Sequence, residues 1–205
     1  MKEMTENLIE FFPELQQIQD ENLRDKVVLV WQDVFQKSSW KMLLDAPFNF
    51  RPGSITLVEH TRAVLDIALK IADTMERVHT LEKSVNRDLL IAACVLHDVD
   101  KLLAYAPGDS GQVLVTNVGL DFQHGFYSAY YAEKHELPPE VVTMLIDHTD
   151  YSRVAPDSIE GMILIMADLS DAELLSVSNG GESSLMKKLG KESNRQKMKK
   201  ILGGK

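Results

Sequence analysis

The chain has 205 residues, a net charge of −9, a 44% apolar share and a single cysteine, Cys94. That length suits one large domain, or one domain with a terminal appendage, and is ample for a buried core. The acidic balance argues against stable nucleic-acid binding, and one cysteine cannot form an internal disulfide, which points to a reducing compartment. No stretch reaches the roughly 18 apolar residues that a membrane span needs. The start, MKEMTENLIEFFPEL, lacks a signal peptide's basic and apolar regions, so a soluble, cytoplasmic protein is expected. Charge is unevenly spread. Residues 180–205 hold eight basic against two acidic residues, leaving −15 on the rest. Such a basic run reads as a solvated helix or tail.

In chain order, apolar spacing predicts helices over 5–20 (Leu8, Ile9, Phe12) and 21–45 (Val27, Val28, Trp31, Val34, Phe35). The stretch 46–54, APFNFRPGS, is a loop, with Ser54 as candidate N-cap of a strongly amphipathic helix over 55–77. A helix over 86–103 follows. Its centre, Leu89 to Leu96, is wholly apolar and then meets His97-Asp98. Burying an imidazole and a carboxylate there is costly unless something compensates them. The fold class is all-α, with at most one small hairpin or loop insertion near 104–123, where GDSG precedes VLVT. Helices are then predicted over 124–135, over 139–149 with Pro139 in the first turn, and over 158–177. Residues 1–53 read as helices packing on a core of 54–178, with 179–205 as the basic appendage.

Several of these helices carry a potential metal ligand on the apolar side. His60 shares a face with Ala63, Val64 and Ile67; His97 and Asp98 follow the buried run; His124 lies on the side of Tyr127 and Ser128; His148 follows Val141 and Met144; Asp168 lies in GMILIMADL. Singly, each has a bland reading as a satisfied core residue or cap. Jointly, four imidazoles and two carboxylates aimed inward need a common partner, and divalent metal is the simplest one. His79 and His135 fail the same test and are expected to be exposed.

The order His60, His97-Asp98, His124, His148, Asp168 resembles the HD-domain superfamily of metal-dependent phosphohydrolases. The likeness spans about residues 54–177, with LHDVDK at 96–101, HG at 124–125, HT at 148–149 and AD at 167–168. It is most similar to small, six-ligand, dinuclear members such as bacterial hydrolases of dinucleoside polyphosphates. The resemblance implies an HD-like helical bundle whose six residues hold two divalent ions. Nitrogen and oxygen donors favour Fe, Mn, Co or Ni. Asp98 would bridge; His60, His97 and Asp168 would complete one site, and His124 with His148 the other. A hydroxide between the ions would attack the phosphorus of a small phosphorylated substrate, possibly a nucleotide. Lys101 is the candidate catalytic residue for holding a phosphoryl oxygen. Glu59 and Asp171 are candidate orienters of ligands or equally members of an exposed face, Arg62 is expected to be structural, and Asp121 and Gln123 are candidates for the mouth of the site. Asp100 stands where relatives often carry glycine and has no evident role. The alternatives are a mixed-valent di-iron oxygenase on the same six residues, and a catalytically idle nucleotide sensor.

Overall fold

Residues 8–51, 54–109, 111–149, 152–191 and 197 are described in a computed structural model. About half of the expected basic tail (192–196 and 198–205), and the start of the helix expected over 5–20, lie outside these residues. Pro13 has no amide hydrogen to continue a helix, so the turn at residues 8–11 gives way to a 3-10 helix at Pro13–Gln17. The long helix expected over 21–45 stops early. Helix α1 (Glu21–Lys37) begins where the Asp20 side chain accepts from the amides of Asn22 and Leu23, and ends at Ser38; a separate 3-10 turn covers Leu43–Asp45.

Helix α2 (Leu57–Val78) is capped by Thr56, not Ser54. Thr56 accepts from the Glu59 amide while the Glu59 carboxylate accepts from the Thr56 amide, a reciprocal capping box. Ser54 instead accepts from the Asn49 amide within the preceding loop. Helix α3 (Arg87–Leu96), capped by Asn86, is buried without interruption from Leu90 to Leu96. It packs against α1, α2 and a later helix, α7 (Pro139–Asp147), which makes it the middle of the core.

The expected helix over 86–103 breaks at the four residues 97–100. The Val99 and Leu102 amides donate to carbonyls three residues back rather than four, and a short helix α4 (Lys101–Ala104) follows. That tightening frees the Val95 carbonyl, which accepts from the buried Trp31 indole at 3.0 Å. The other side of the turn is held by Ser128, whose hydroxyl donates to the His97 carbonyl and accepts from the Asp100 amide. The expected small hairpin is present: β1 (Tyr105–Pro107) pairs antiparallel with β2 (Val113–Val115), Tyr105 opposite Val115. A short helix α5 (Asn117–Asp121), capped by Thr116, was not expected.

Helix α6 (Phe126–Lys134) starts after Gly125, whose φ is 87°. A Cβ there would lie 2.7 Å from the Leu145 carbonyl oxygen, so glycine permits the close approach of α6 to the end of α7. Two compact units result, the first ending at Asp168 and the second starting at Leu169. Helix α8 (Ile159–Ser178) supplies residues to both. The second unit also contains α9 (Ser184–Lys188), capped by Ser183, and the Leu185 amide donates to Glu173. Among the described residues no helix is long and apolar enough to cross a membrane.

Asp33 ties α1 to the end of α6. It accepts from Lys134 at 2.6 Å, from Lys37, and pairs with His135 at 3.1 Å. His135 is therefore not the exposed residue expected, with 21% of its side chain accessible, whereas His79 is exposed as expected. Burial works against the charged form of Asp33, but the hydrogen bonds from Lys134, Lys37 and His135 outweigh it and hold the carboxyl well below the usual range. A depressed folded-state pKa gives stability that is present above the ordinary aspartate value and lost as pH falls through the folded one. Asp33→Asn is expected to cost about 0.5–1 kcal/mol near neutrality, the lysines being half exposed. Urea midpoints of the two proteins should lie closer together at about pH 3 than at about pH 7; a gap that does not change with pH would contradict the assignment.

Candidate metal centre

Both ends of the buried α3 helix matter to its position, but its C-terminal end carries the chemistry. His97 and Asp98 occupy the tightened turn and are fully buried, beside His60 from the first turn of α2. Asp168 reaches them from α8, His148 from the C-cap of α7, and His124 from the residue before Gly125. All six expected residues are brought together, in two groups able to hold a metal ion: His60, His97 and Asp168; and Asp98, His124 and His148.

Asp98 faces both groups. Its Oδ2 is 3.3 Å from His60 Nε2 and 3.4 Å from His97 Nε2, while its Oδ1 is 2.8 Å from His124 Nε2 and 3.9 Å from His148 Nε2. Asp168 Oδ1 lies 3.1 Å from His60 Nε2, and the Nε2 atoms of His60 and His97 are 3.3 Å apart.

The tautomers follow from the opposite side of each ring. His97 Nδ1 is 2.8 Å from the Cys94 carbonyl oxygen and His148 Nδ1 is 2.9 Å from that of Leu145. A carbonyl only accepts, so each Nδ1 carries a hydrogen, and a ring with no second proton presents an Nε2 lone pair to the centre. Among the described residues His148 Nε2 is buried with no hydrogen-bond partner. Burial also pushes its pKa down, which keeps that ring neutral. For His124, burial opposes the charge, but Asp100 and Asp98 outweigh it and raise the pKa to about 10. Lone pairs converging on two carboxylates repel one another unless positive charge lies among them. Protons on rings such as His124 are one source, and a divalent cation that displaces them is another. The donor set, imidazole nitrogens and carboxylate oxygens with no thiolate, fits such a cation. Cys94 does not contribute, since it is fully buried with its thiol pKa pushed up by burial.

Asp100, for which sequence reading finds no role, is 4% exposed and braces His124. Its carboxylate oxygens lie 3.1 and 3.2 Å from His124 Nδ1, and Oδ2 also accepts from the Gly125 amide at 2.7 Å. This fixes the His124 tautomer and turns Nε2 toward Asp98. The only signal in the sequence is a carboxylate, two residues after Asp98, where an apolar or small residue would otherwise suit the buried turn. Phe48, from the loop before α2, was also unforeseen: its ring stacks on His60 at a centroid distance of 3.7 Å. Glu59 is exposed, the second of its two readings, and its carboxylate is occupied in the capping box rather than orienting a ligand. Arg62 is exposed, as its spacing suggested, and Asp171 belongs to the second unit.

Lys101 Nζ lies 2.6 Å from Asp98 Oδ2 and 3.8 Å from the Phe48 ring centroid. Together with His124 and Asp100 it lines a cavity of about 590 Å³. Asp121 and Gln123, both exposed, line the same cavity.

Residues 57–173 match the HD domain family, and the chain belongs to that family. It is similar to the dihydroneopterin 2′,3′-cyclic phosphate phosphodiesterase of Methanocaldococcus jannaschii, with 32% identity over 170 residues, 78% of this chain and 66% of that protein. The chain thus spans just under two thirds of that relative's length. No solved structure matches it.

Removing the Asp100 carboxylate should loosen His124 and leave the Gly125 amide buried without its acceptor. Asp100→Ala is expected to weaken divalent-metal affinity roughly 10- to 100-fold, measured by competition with a chromophoric chelator. Asp100→Asn, which keeps an oxygen for the Gly125 amide, should lose less. Equal affinity in all three proteins would show that Asp100 does not support the centre.

Proposed function

We propose that the chain is a metal-dependent phosphohydrolase acting on a phosphate ester or anhydride of a nucleotide or similar small molecule. The observation that carries this reading is Asp98, which turns one carboxylate oxygen to His60 and His97, grouped with Asp168, and the other to His124 and His148. On this reading two divalent ions bind per chain, one through His60, His97, Asp168 and Asp98, the other through His124, His148 and Asp98. Iron, manganese, cobalt and nickel suit these donors. With neutral histidines the two carboxylates leave a net +2 on the centre, which favours a phosphate. Ions bound there supply a strong nucleophile at neutral pH and offset charge on the phosphoryl oxygens.

The protein's own groups do the rest. Lys101 spends one of its three donors on Asp98 and has others to hold a phosphoryl oxygen. Leu96, Val99 and Leu102, which flank these residues along the chain, are all fully buried, so the protein side of the turn is closed to water. Trp31 and Ser128 fix the turn that sets the Asp98 carboxylate between the two donor groups. The relative's name makes cyclic phosphodiesters of a pterin type a first class of substrate to try.

A panel of nucleotides, dinucleoside polyphosphates and 2′,3′-cyclic phosphates, followed by ³¹P NMR, reports both ring opening and free phosphate. At least one should be cleaved with added divalent metal and not after chelation. Oxygen uptake by iron-loaded protein, with no ester cleaved, would instead support the oxygenase alternative. Lys101→Ala should lower kcat/KM roughly 10²-fold with metal content unchanged; an unaltered kcat/KM would remove Lys101 from the mechanism.

A further inference from the structure

The cavity beside the centre is chemically divided. Of its lining, Asp100, Lys101 and His124 touch or belong to the centre; the remainder is mostly apolar and aromatic. Its aromatic rings form two contacting pairs, Phe50 with Tyr105 at a centroid distance of 6.3 Å and Phe122 with Tyr127 at 5.0 Å. Apolar side chains around it are unusually open, with Phe50 55%, Phe122 43% and Leu120 71% exposed. Apolar surface gathered at a cavity mouth, at a volume within the roughly 300–1,000 Å³ of small-molecule sites, marks a ligand pocket. Flat rings suit a flat ligand. The other polar side chains on its wall include Asp121 and Gln123. Among the described residues the Asp121 carboxylate has no hydrogen bond or ion pair, which contrasts with Asp98, Asp100 and Asp168 nearby.

A carboxylate only accepts, and it can accept twice side by side. It therefore favours a heterocycle with two adjacent N–H donors on one edge. Guanine and pterin share such an edge, a ring N–H beside an exocyclic amino group. Adenine and cytosine place a ring acceptor beside their amino group, and uracil flanks its N–H with two carbonyls. We propose that this cavity is the specificity subsite for the substrate's planar heterocycle, and that Asp121 selects a 2-amino-4-oxopyrimidine edge, with Gln123 offering an amide donor to the neighbouring oxo group. The proposal rests on the phosphohydrolase reading for why such a ligand comes to the centre. It assigns to the heterocycle what Lys101 and the metals cannot discriminate.

The test uses metal-loaded protein and ligands without phosphate, which cannot be hydrolysed. Neopterin, guanosine, adenosine and cytidine are titrated by calorimetry. Guanosine and adenosine carry the same ribose, so any contact of the sugar with the metals cancels between them. Guanosine or neopterin should bind roughly 5- to 150-fold more tightly than adenosine, the range for one bidentate pair, and Asp121→Asn should abolish that preference without changing the melting temperature. Whichever of the two binds more tightly tells a purine substrate from a pterin one. Equal binding of guanosine and adenosine, a preference that survives in Asp121→Asn, or no binding by any of the four at millimolar concentration would overturn the proposal. Because nothing is cleaved, the preference stands or falls separately from the hydrolysis: a selective protein that hydrolyses no ester would keep the subsite and lose the reaction.

Discussion

The rest of the structure depends on one carboxylate at the end of one buried helix. Asp98 must be ionised to serve a cation, yet it sits 2% exposed in the core, where an isolated charge would be expelled or neutralised. Burial opposes its ionisation, but Lys101, His97 and His124 outweigh that and hold its pKa well below the usual value. The helix can carry this charge because it stops there. Below Asp98 the chain is a seamless apolar helix; at Asp98 the hydrogen-bond pattern tightens, the peptide groups turn, and neighbouring elements take up the freed polar atoms.

Those neighbours explain much of the architecture of the first unit. Trp31 from α1 caps the Val95 carbonyl, and Ser128 from α6 bridges His97 and Asp100 across the turn. Gly125 lets α6 and α7 approach until the His124 and His148 rings meet edge to face at 5.2 Å. Asp100 then uses both the backbone and the ring of that neighbourhood, through the Gly125 amide and His124 Nδ1. An HD-type centre that carries aspartate at this place gains a brace for one histidine, at the cost of a second buried carboxylate.

The residues of the centre were legible in the sequence because helical periodicity puts each of them on a face otherwise made of aliphatic side chains. His60 beside Val64 and Asp168 beside Leu164 are conspicuous in one dimension. The relation of Asp100 to His124 is not: it joins residues 24 apart through a turn whose shape arises only when α6 packs. Helix ends were read less well than helix interiors for a similar reason. Ser54 and Thr56 are both competent caps, and which one meets the free amides depends on how the loop before α2 is folded. The break at 97–100 runs against a strongly helical pattern, and it persists because Trp31 and Ser128 satisfy the groups that a continued helix would have paired with itself. For Glu59 the sequence leaves orienter and exposed face open, because a carboxylate beside a candidate ligand suits either; the helix start has the nearer claim on it.

The central claim is that Asp98 joins two metal sites. Its most direct measurement is elemental analysis of protein purified without chelator, for the native chain and for Asp98→Ala, with circular dichroism to show that both are folded. The account predicts close to two ions per chain in the native protein and loss of metal in a folded Asp98→Ala. One ion or none in the native chain, or full metal content in the variant, would contradict it.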